Sequence, residues 1–275
     1  MVLSINTNLG AMVALQHLNS TNSMLENTQL RITTGLRVNG PKDDASTYAI
    51  AQNMRGDING MMAVKTAIAG GESTVNVALE GAVAINDLLL EMKAKVVQAN
   101  QAGLDATSRT ALHNDFNALR EQIQTITGTA EFNGTNLIKA SAGDLSVLST
   151  VDGSTIAVSA QTMDPTTLSI NTTSLLTSAT SATSATALTA IDSAITAVAD
   201  KLAALGSVSK RLEIQSDFTV KLIDILRAGV GNLVDADMAE ESAKLQSLQI
   251  KQQLGVQALS IANSNPQVIL SLFNG

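Results

Sequence analysis

A chain of 275 residues and 28.5 kDa has room for one or two domains; with no Trp, one Tyr and four Phe against a hydrophobic share of 45%, it suits close helix packing better than a compact globular core. A net charge of −7 and no basic patch interleaved with aromatics exclude a nucleic-acid partner. The lack of cysteine excludes disulfides and thiolate metal sites, and no uninterrupted apolar run approaches the roughly 20 residues of a membrane span.

Residues 1–34 are expected to form a helix that is nearly free of charge, with Glu26 the only ionised side chain before Arg31. Ala11, Leu15, Leu18, Asn22, Leu25, Gln29 and Ile32 recur at 4-3 spacing, the pattern of a coiled-coil seam. The opposite face carries Ser, Thr, Asn and Gln where a solvated helix shows Lys and Glu, so it too is expected to lie against protein. Two glycines and a proline in residues 35–44, GLRVNGPKDD, end this helix in a linker, after which Asp43 or Asp44 caps the next.

From Ala45 to about Asn100 no proline occurs and apolar residues keep helical spacing through Ile50, Met54, Ile58, Met61, Val64, Ile68, Val75, Leu79, Val83, Leu88 and Met92. A helix of that length spans roughly 80 Å, with Gly70 and Gly71 as its weak point. Gly103 stops it. A second helix, from about Thr107 to Thr127, shows Leu112, Phe116, Leu119, Ile123 and Ile126, and the two are expected to pack as an antiparallel hairpin.

Short strand-like pieces follow at Glu131 to Ile138, around an Asn-Gly turn, and at Leu145 to Leu148 and Thr155 to Val158, predicting a small β element. Ser and Thr make up nearly half of residues 141–187, and SATSATSATA from Ser178 to Ala187 is a degenerate repeat. The composition predicts a surface segment. Helical periodicity resumes at Leu188 and runs through Ile191, Ile195, Val198, Leu202, Leu205, Val208, Leu212, Phe218, Leu222 and Ile225, a third long helix closing the bundle. Gly229 and Gly231 read as a hinge. Asp235 reads as the N-cap of a last helix with Asp237, Glu240 and Glu241 in its first turn.

That last helix mirrors the first, since Lys251 is the only charged side chain from Leu245 to Gly275. One stripe on it runs Met238, Leu245, Leu248, Leu259 and Ala262; a second, Ile250, Leu254, Ala258 and Ile261, lies about 140° around the helix. Such a helix needs neighbours on two sides. The two ends are therefore expected to pair with each other and then with copies of themselves in a polymer.

The segments Ser4-Ile5-Asn6-Thr7-Asn8, Arg31-Ile32-Thr33-Thr34-Gly35-Leu36-Arg37-Val38-Asn39, Lys42-Asp43-Asp44-Ala45, Ala49-Ile50-Ala51 and Glu131-Phe132-Asn133-Gly134 closely resemble the amino-terminal region of bacterial flagellins. Asp235-Ala236-Asp237-Met238-Ala239-Glu240-Glu241, Gln249-Ile250, Ala262-Asn263 and Pro266-Gln267 resemble the matching carboxy-terminal region. The resemblance holds in order at both ends and leaves only the middle free. Departures from better-known members are a very short middle, so that large outer domains are expected to be absent, then Ser46-Thr47-Tyr48 with Gly71-Glu72, and Glu91 where many carry an arginine. With Gly229-Val230-Gly231-Asn232-Leu233-Val234 in place of a basic stretch, these changes resemble the flagellins of alphaproteobacteria.

The resemblance implies a mainly α fold: a long antiparallel helical bundle with coiled-coil terminal helices and a small β-hairpin element, assembled into a helical filament. It implies an inner-core domain of residues 1–34 plus 235–275, a linker at 35–44, a long-helix bundle of 45–140 plus 188–234, and a short surface insert at 141–187. The function implied is a flagellin, the self-assembling subunit of the filament used for swimming, exported through the flagellar type III apparatus to the cell exterior. The chain shows no cleavable signal peptide at its start.

Ile5, Leu9, Leu15, Leu18, Leu25, Ile32, Leu245, Leu248, Ile250, Leu254, Leu259 and Ile261 are the expected self-assembly residues. Arg31, Gly35, Asn39, Asp43, Asp44, Asp235 and Asp237 are the linker and family-motif residues. The expected partners are copies of the chain and sibling flagellins, the export apparatus with a secretion chaperone, and hook-associated and cap proteins, with no nucleic acid and no membrane insertion. No catalytic, metal or cofactor residues are expected, because His17 and His113 are far apart and read as helix-surface residues, and neither a phosphate-binding loop nor a nucleophile elbow occurs. The alternatives are a hook-filament junction protein, which caps instead of propagating, and a discrete coiled-coil adaptor, which would carry charges flanking its seam.

Overall fold

The computed structural model describes residues 8–101, 103–175 and 181–273. The described elements follow in the order α1 (Leu9–Thr34), α2 (Ala45–Ala99), α3 (Ala106–Thr129), β1 (Leu145–Leu148), β2 (Thr155–Val158), α4 (Ser181–Val234) and α5 (Met238–Phe273). The chain divides into two compact units, one of the residues up to Gly56 with those from Ile225 onward, the other Asp57–Asp224.

In the first unit α1 and α5 pack against each other, and the segments joining them to α2 and α4 pair as well. Gly35 ends α1 with φ 72°, a conformation that suits a residue without Cβ, and its N–H donates to the Arg31 carbonyl at 2.8 Å. Leu36 then bridges to Asp235, the Arg37 and Val38 amides both donate to the Val234 carbonyl, and the Ala236 amide returns to that of Gly35. The two connections thus satisfy each other's backbone groups.

The second unit is an antiparallel three-helix bundle. Lys95 of α2 meets Asp115 of α3 at 2.9 Å, and Arg109 reaches back to the Ala99 carbonyl, so α3 runs back along α2. Contacts of Lys93 with Asp192 and of Asn76 with Ser209 set α4 antiparallel to α2. Val64, Ile68, Ile85, Leu89 and Met92 from α2, Phe116 and Ile123 from α3, and Ile191, Val198 and Leu205 from α4 form the core. α2 is long and apolar enough to cross a bilayer by length and composition; one side of it, Val64, Ile68, Val75, Ile85, Leu89 and Met92, is buried in that core. The outward positions differ in part from the sequence expectation, for Ile50, Val83, Phe218 and Ile225 face away from the core while Leu89, Thr219 and Ile223 are buried.

β1 and β2 form an antiparallel pair in the register Leu145↔Val158 to Leu148↔Thr155. Before them, Asn133 and Gly134, both at positive φ, close a tight turn between the bridged Phe132 and Thr135. The segment from 141 to 175 is not the surface stretch its composition predicts. Val147, Ile156, Val158, Met163, Leu168, Ile170 and Leu175 all join the core, and the Ser and Thr residues between them fill turns and outward positions. Hydrogen bonds tie it down: the Gln161 and Met163 amides donate to the carbonyls of Leu137 and Ile138, Lys201 donates to the Thr162 carbonyl, and Gln215 to that of Ser149. The SATSATSATA repeat also departs from a surface loop, since α4 already begins at Ser181; residues 178–180 lie outside the described residues.

Neither glycine pair is a break. α2 runs through Gly70 and Gly71 unbroken, and a Cβ on Gly71 would lie 2.5 Å from Val147 Cγ2, so glycine here admits the hairpin. α4 likewise continues through Gly229 and Gly231 to Val234, and a Cβ on Gly231 would sit 2.7 Å from an Asp235 carboxylate oxygen. Glycine is required at Gly71, where buried Val147 fills the space, whereas the exposed Asp235 side chain beside Gly231 can turn aside.

Candidate self-assembly surface

The α1–α5 pair is built from polar as well as apolar contacts. Asn8 caps α1, its Oδ1 accepting from the Ala11 amide at 3.0 Å, while its Nδ2 donates to the Ala262 carbonyl at 2.7 Å. Midway, Gln252 Nε2 donates to Asn22 Oδ1 at 2.9 Å. At the far end Arg31 pairs with the buried Glu241 at 3.1 Å, and Lys244 approaches the same carboxylate oxygen at 3.5 Å. These three ties fix the direction and register of the pair.

Between them lies the seam. Leu18, Leu25 and Ile32 are half-buried on α1, as are Leu245 and Leu259 on α5, and Leu248 is buried. Gly255 faces Leu18, whose Cδ1 would lie 3.1 Å from a Cβ there. The expected seam on α1 holds at Ala11, Leu18, Leu25 and Ile32 and at Asn22, which meets Gln252, and fails at Leu15 and Gln29. The inward residues are Ala11, Ala14, Leu18, Thr21, Leu25, Thr28 and Ile32 at 3-4 spacing, whereas Leu15 and Gln29 are exposed, Leu15 by 48%. A 4-3 and a 3-4 ladder share every seventh residue and differ by only one position in between, and small Ala and Thr side chains let the two helices approach more closely.

Facing away from the seam, the stripe of Ile250, Leu254 and Ile261 is exposed by 57%, 57% and 65%, with exposed Ala258 on the same side. Leu9, Met12 and Val13 on α1, and Met238 at the start of α5, are exposed as well. Next to Ile32 and Leu245 the pair leaves a shallow groove, walled also by Gln29, Leu30 and Thr33. Ile5 lies outside the described residues. The structure thus sorts the expected residues into two groups: Leu18, Leu25, Ile32, Leu245, Leu248 and Leu259 hold the pair together, and Leu9, Leu15, Ile250, Leu254 and Ile261 are presented outward.

The motif residues organise the turns. Asp44 caps α2, accepting from the Ser46 and Thr47 amides and from the Thr47 hydroxyl at 2.6 Å, and the Thr47 side chain and backbone bonds hold its carboxyl below the usual carboxylate range. Asp43 closes the linker, accepting from the amides of Asn39 and Gly40. Asp237, not Asp235, caps α5, with Ala239 and Glu240 amides donating to its Oδ1; Asp235 is taken up in the bridge to Leu36. Asn8, Gln252 and Glu241 were missed as partners by sequence reasoning, because a polar residue on a seam betrays its role only when the facing helix and its register are known.

The structure corrects the histidine reading. His113 is partly buried, with Nδ1 accepting from the Leu175 amide at 3.4 Å and Nε2 placed 3.0 Å from the Asn117 side-chain amide. Among the described residues, no group of three or more His, Asp or Glu side chains is placed to hold a metal ion.

Family comparison joins these observations. Residues 5–143 match the bacterial flagellin N-terminal helical region, and residues 188–273 match the bacterial flagellin C-terminal helical region. Flagellin FljO of Caulobacter vibrioides is 47% identical over 270 residues, covering 98% of each chain, and a flagellin of Brucella melitensis is 38% identical over 282 residues, covering 99% of each. A solved flagellar hook-associated protein from Vibrio parahaemolyticus superposes with a TM-score of 0.59 at 14% identity, over 70% of this chain and 100% of that one, a likeness of fold alone.

Proposed function

The chain belongs to the bacterial flagellins, the non-enzymatic, extracellular subunits of the flagellar filament, and from that premise we propose that it polymerises through the outward face of its α1–α5 pair. The observation that carries this reading is the stripe of Ile250, Leu254 and Ile261, left exposed on a helix whose only charged side chain beyond Leu245 is Lys251. Covering each such side chain is worth about 1.5–3 kcal/mol. Three of them, with Leu9 and Leu15 added from α1, supply enough for a heterologous contact that does not close on itself and therefore continues as a helix of subunits.

In this proposal residues 1–34 with 235–275 form the inner core of the filament. The linker 35–44 joins that core to the long-helix part, 45–140 with 188–234, and the insert 141–187 packs onto the latter. Small sliding of the long helices between alternative packings would let a rotating filament change its supercoil. The further partners we propose are sibling flagellins in the same filament, the export apparatus with a secretion chaperone, and hook-associated and cap proteins at its ends.

Electron microscopy of the purified chain mixed with short filament seeds tests the propagating role. Long uniform filaments growing from seed ends are expected, with length rising with protein concentration. Seeds that stay short and carry the chain only at their tips would make it a junction protein instead.

A further inference from the structure

Among the described residues of the second unit, Glu72 carries a carboxylate oxygen, Oε1, that is shielded from solvent and has no hydrogen-bond partner. Glu72 follows Gly71, where Val147 of the hairpin comes so close that a Cβ would lie 2.5 Å from its Cγ2, so the hairpin packs directly on this turn of α2. The element facing it is α4: Asn76 meets Ser209 there, and one turn further along the antiparallel pair Glu72 comes opposite Glu213, with Asp217 a turn beyond. Burial first, and then the charges of those two residues, push the Glu72 carboxyl above the usual carboxylate range.

The neighbouring cations do not offset this. Lys210 on α4 is committed to Glu213 at 2.8 Å, and Arg211 and Lys221 are exposed on the same helix. β1 and β2, the strands of the hairpin lying against Gly71, contain no titratable side chain, and along α2 itself the nearest charges are Lys65 and Glu80, each about two turns away.

We propose that Glu72 is a proton-operated clamp on the α2–α4 seam, a carboxylate that strains the seam against Glu213 and Asp217 at neutral pH and tightens it once protonated. The proton comes from solvent, and the neutral carboxyl can donate its O–H to a facing carboxylate instead of repelling it. The sign follows from linkage. A group whose folded pKa is raised contributes stability that is fully present below its unfolded value of about 4.5 and is lost as pH rises through the folded value. The bundle is therefore tighter under mild acid than at neutrality through this residue.

Glu72→Gln keeps the shape and imitates the protonated form at every pH. Thermal unfolding of the full chain by circular dichroism, parent against variant, is expected to show the variant melting about 2–4 °C higher at pH 7.5, with most of that difference gone at pH 4.5. A variant that melts at the parent's temperature or below it at pH 7.5, or that differs by the same amount at both pH values, would overturn the proposal. Asp217→Asn, which leaves Glu72 in place, gives a second reading should Glu72→Gln not fold. It is expected to raise the melting temperature at pH 7.5 and not at pH 4.5, and no rise at pH 7.5 would count equally against the clamp.

Discussion

Gly71 shows how a single residue can be misread when the chain is taken one element at a time. A glycine pair inside a helix costs helix propensity and reads as a weak point; the cost is accepted because Val147 occupies the space a Cβ would need. Gly71→Ala is expected to destabilise the chain by about 1–3 kcal/mol through overpacking, and Val147→Ala in the same chain to recover most of it, measured by denaturant unfolding of the two single variants and the double. His113 is a second such residue. Burial, and then Arg120 nearby, push its imidazole below the ordinary value, so it favours the fold fully above an unfolded value of about 6.5 and loses that contribution as pH falls through its folded one. With His113→Gln as reference, the parent's melting temperature relative to the variant is expected to drop between pH 7.5 and pH 5; a constant difference would mean that the Leu175 contact does not titrate. The caps were half legible. An Asp at the starts of α2 and α5 was plain from the sequence, but the choice of Asp44 over Asp43 and Asp237 over Asp235 depends on backbone turns that only the paired linkers determine.

Among the elements, the helices were legible wherever periodicity was long. The continuous α2, the α3 seam through Phe116 and Ile123, and the strands at 145–148 and 155–158 all appear where the pattern places them. The insert was not, because composition averages over a segment in which every few residues an Ile, Leu, Met or Val turns inward among serines and threonines. The α1 seam fell between these cases, since Leu15 outweighs Ala14 in hydrophobicity while the packing prefers the smaller side chain. Leu248, buried on the seam of α5, provides a test. Leu248→Ala is expected to cost the α1–α5 pair about 2 kcal/mol, lowering hydrogen-exchange protection of the α1 and α5 amides and leaving the bundle of residues 57–224 unchanged. Equal loss of protection in both units would mean that the pair has no stability of its own.

For the molecule as a whole, the family was readable from the motifs at the two ends, and the lack of charge there gave it a physical meaning. What no single sequence supplies is which apolar residues are used within the subunit and which are left for its neighbours. In the single chain Leu248 is turned inward and Leu254, six residues on, is exposed by 57%, which is the division the proposed assembly face rests on. The most direct test of the account is seeded filament growth by Leu254→Asp, compared with the parent by electron microscopy and by circular dichroism of the soluble chain. The account predicts a variant with the parent's helical content that does not elongate seeds. Filaments of normal length and form from a variant carrying a charge in the middle of that stripe would contradict it.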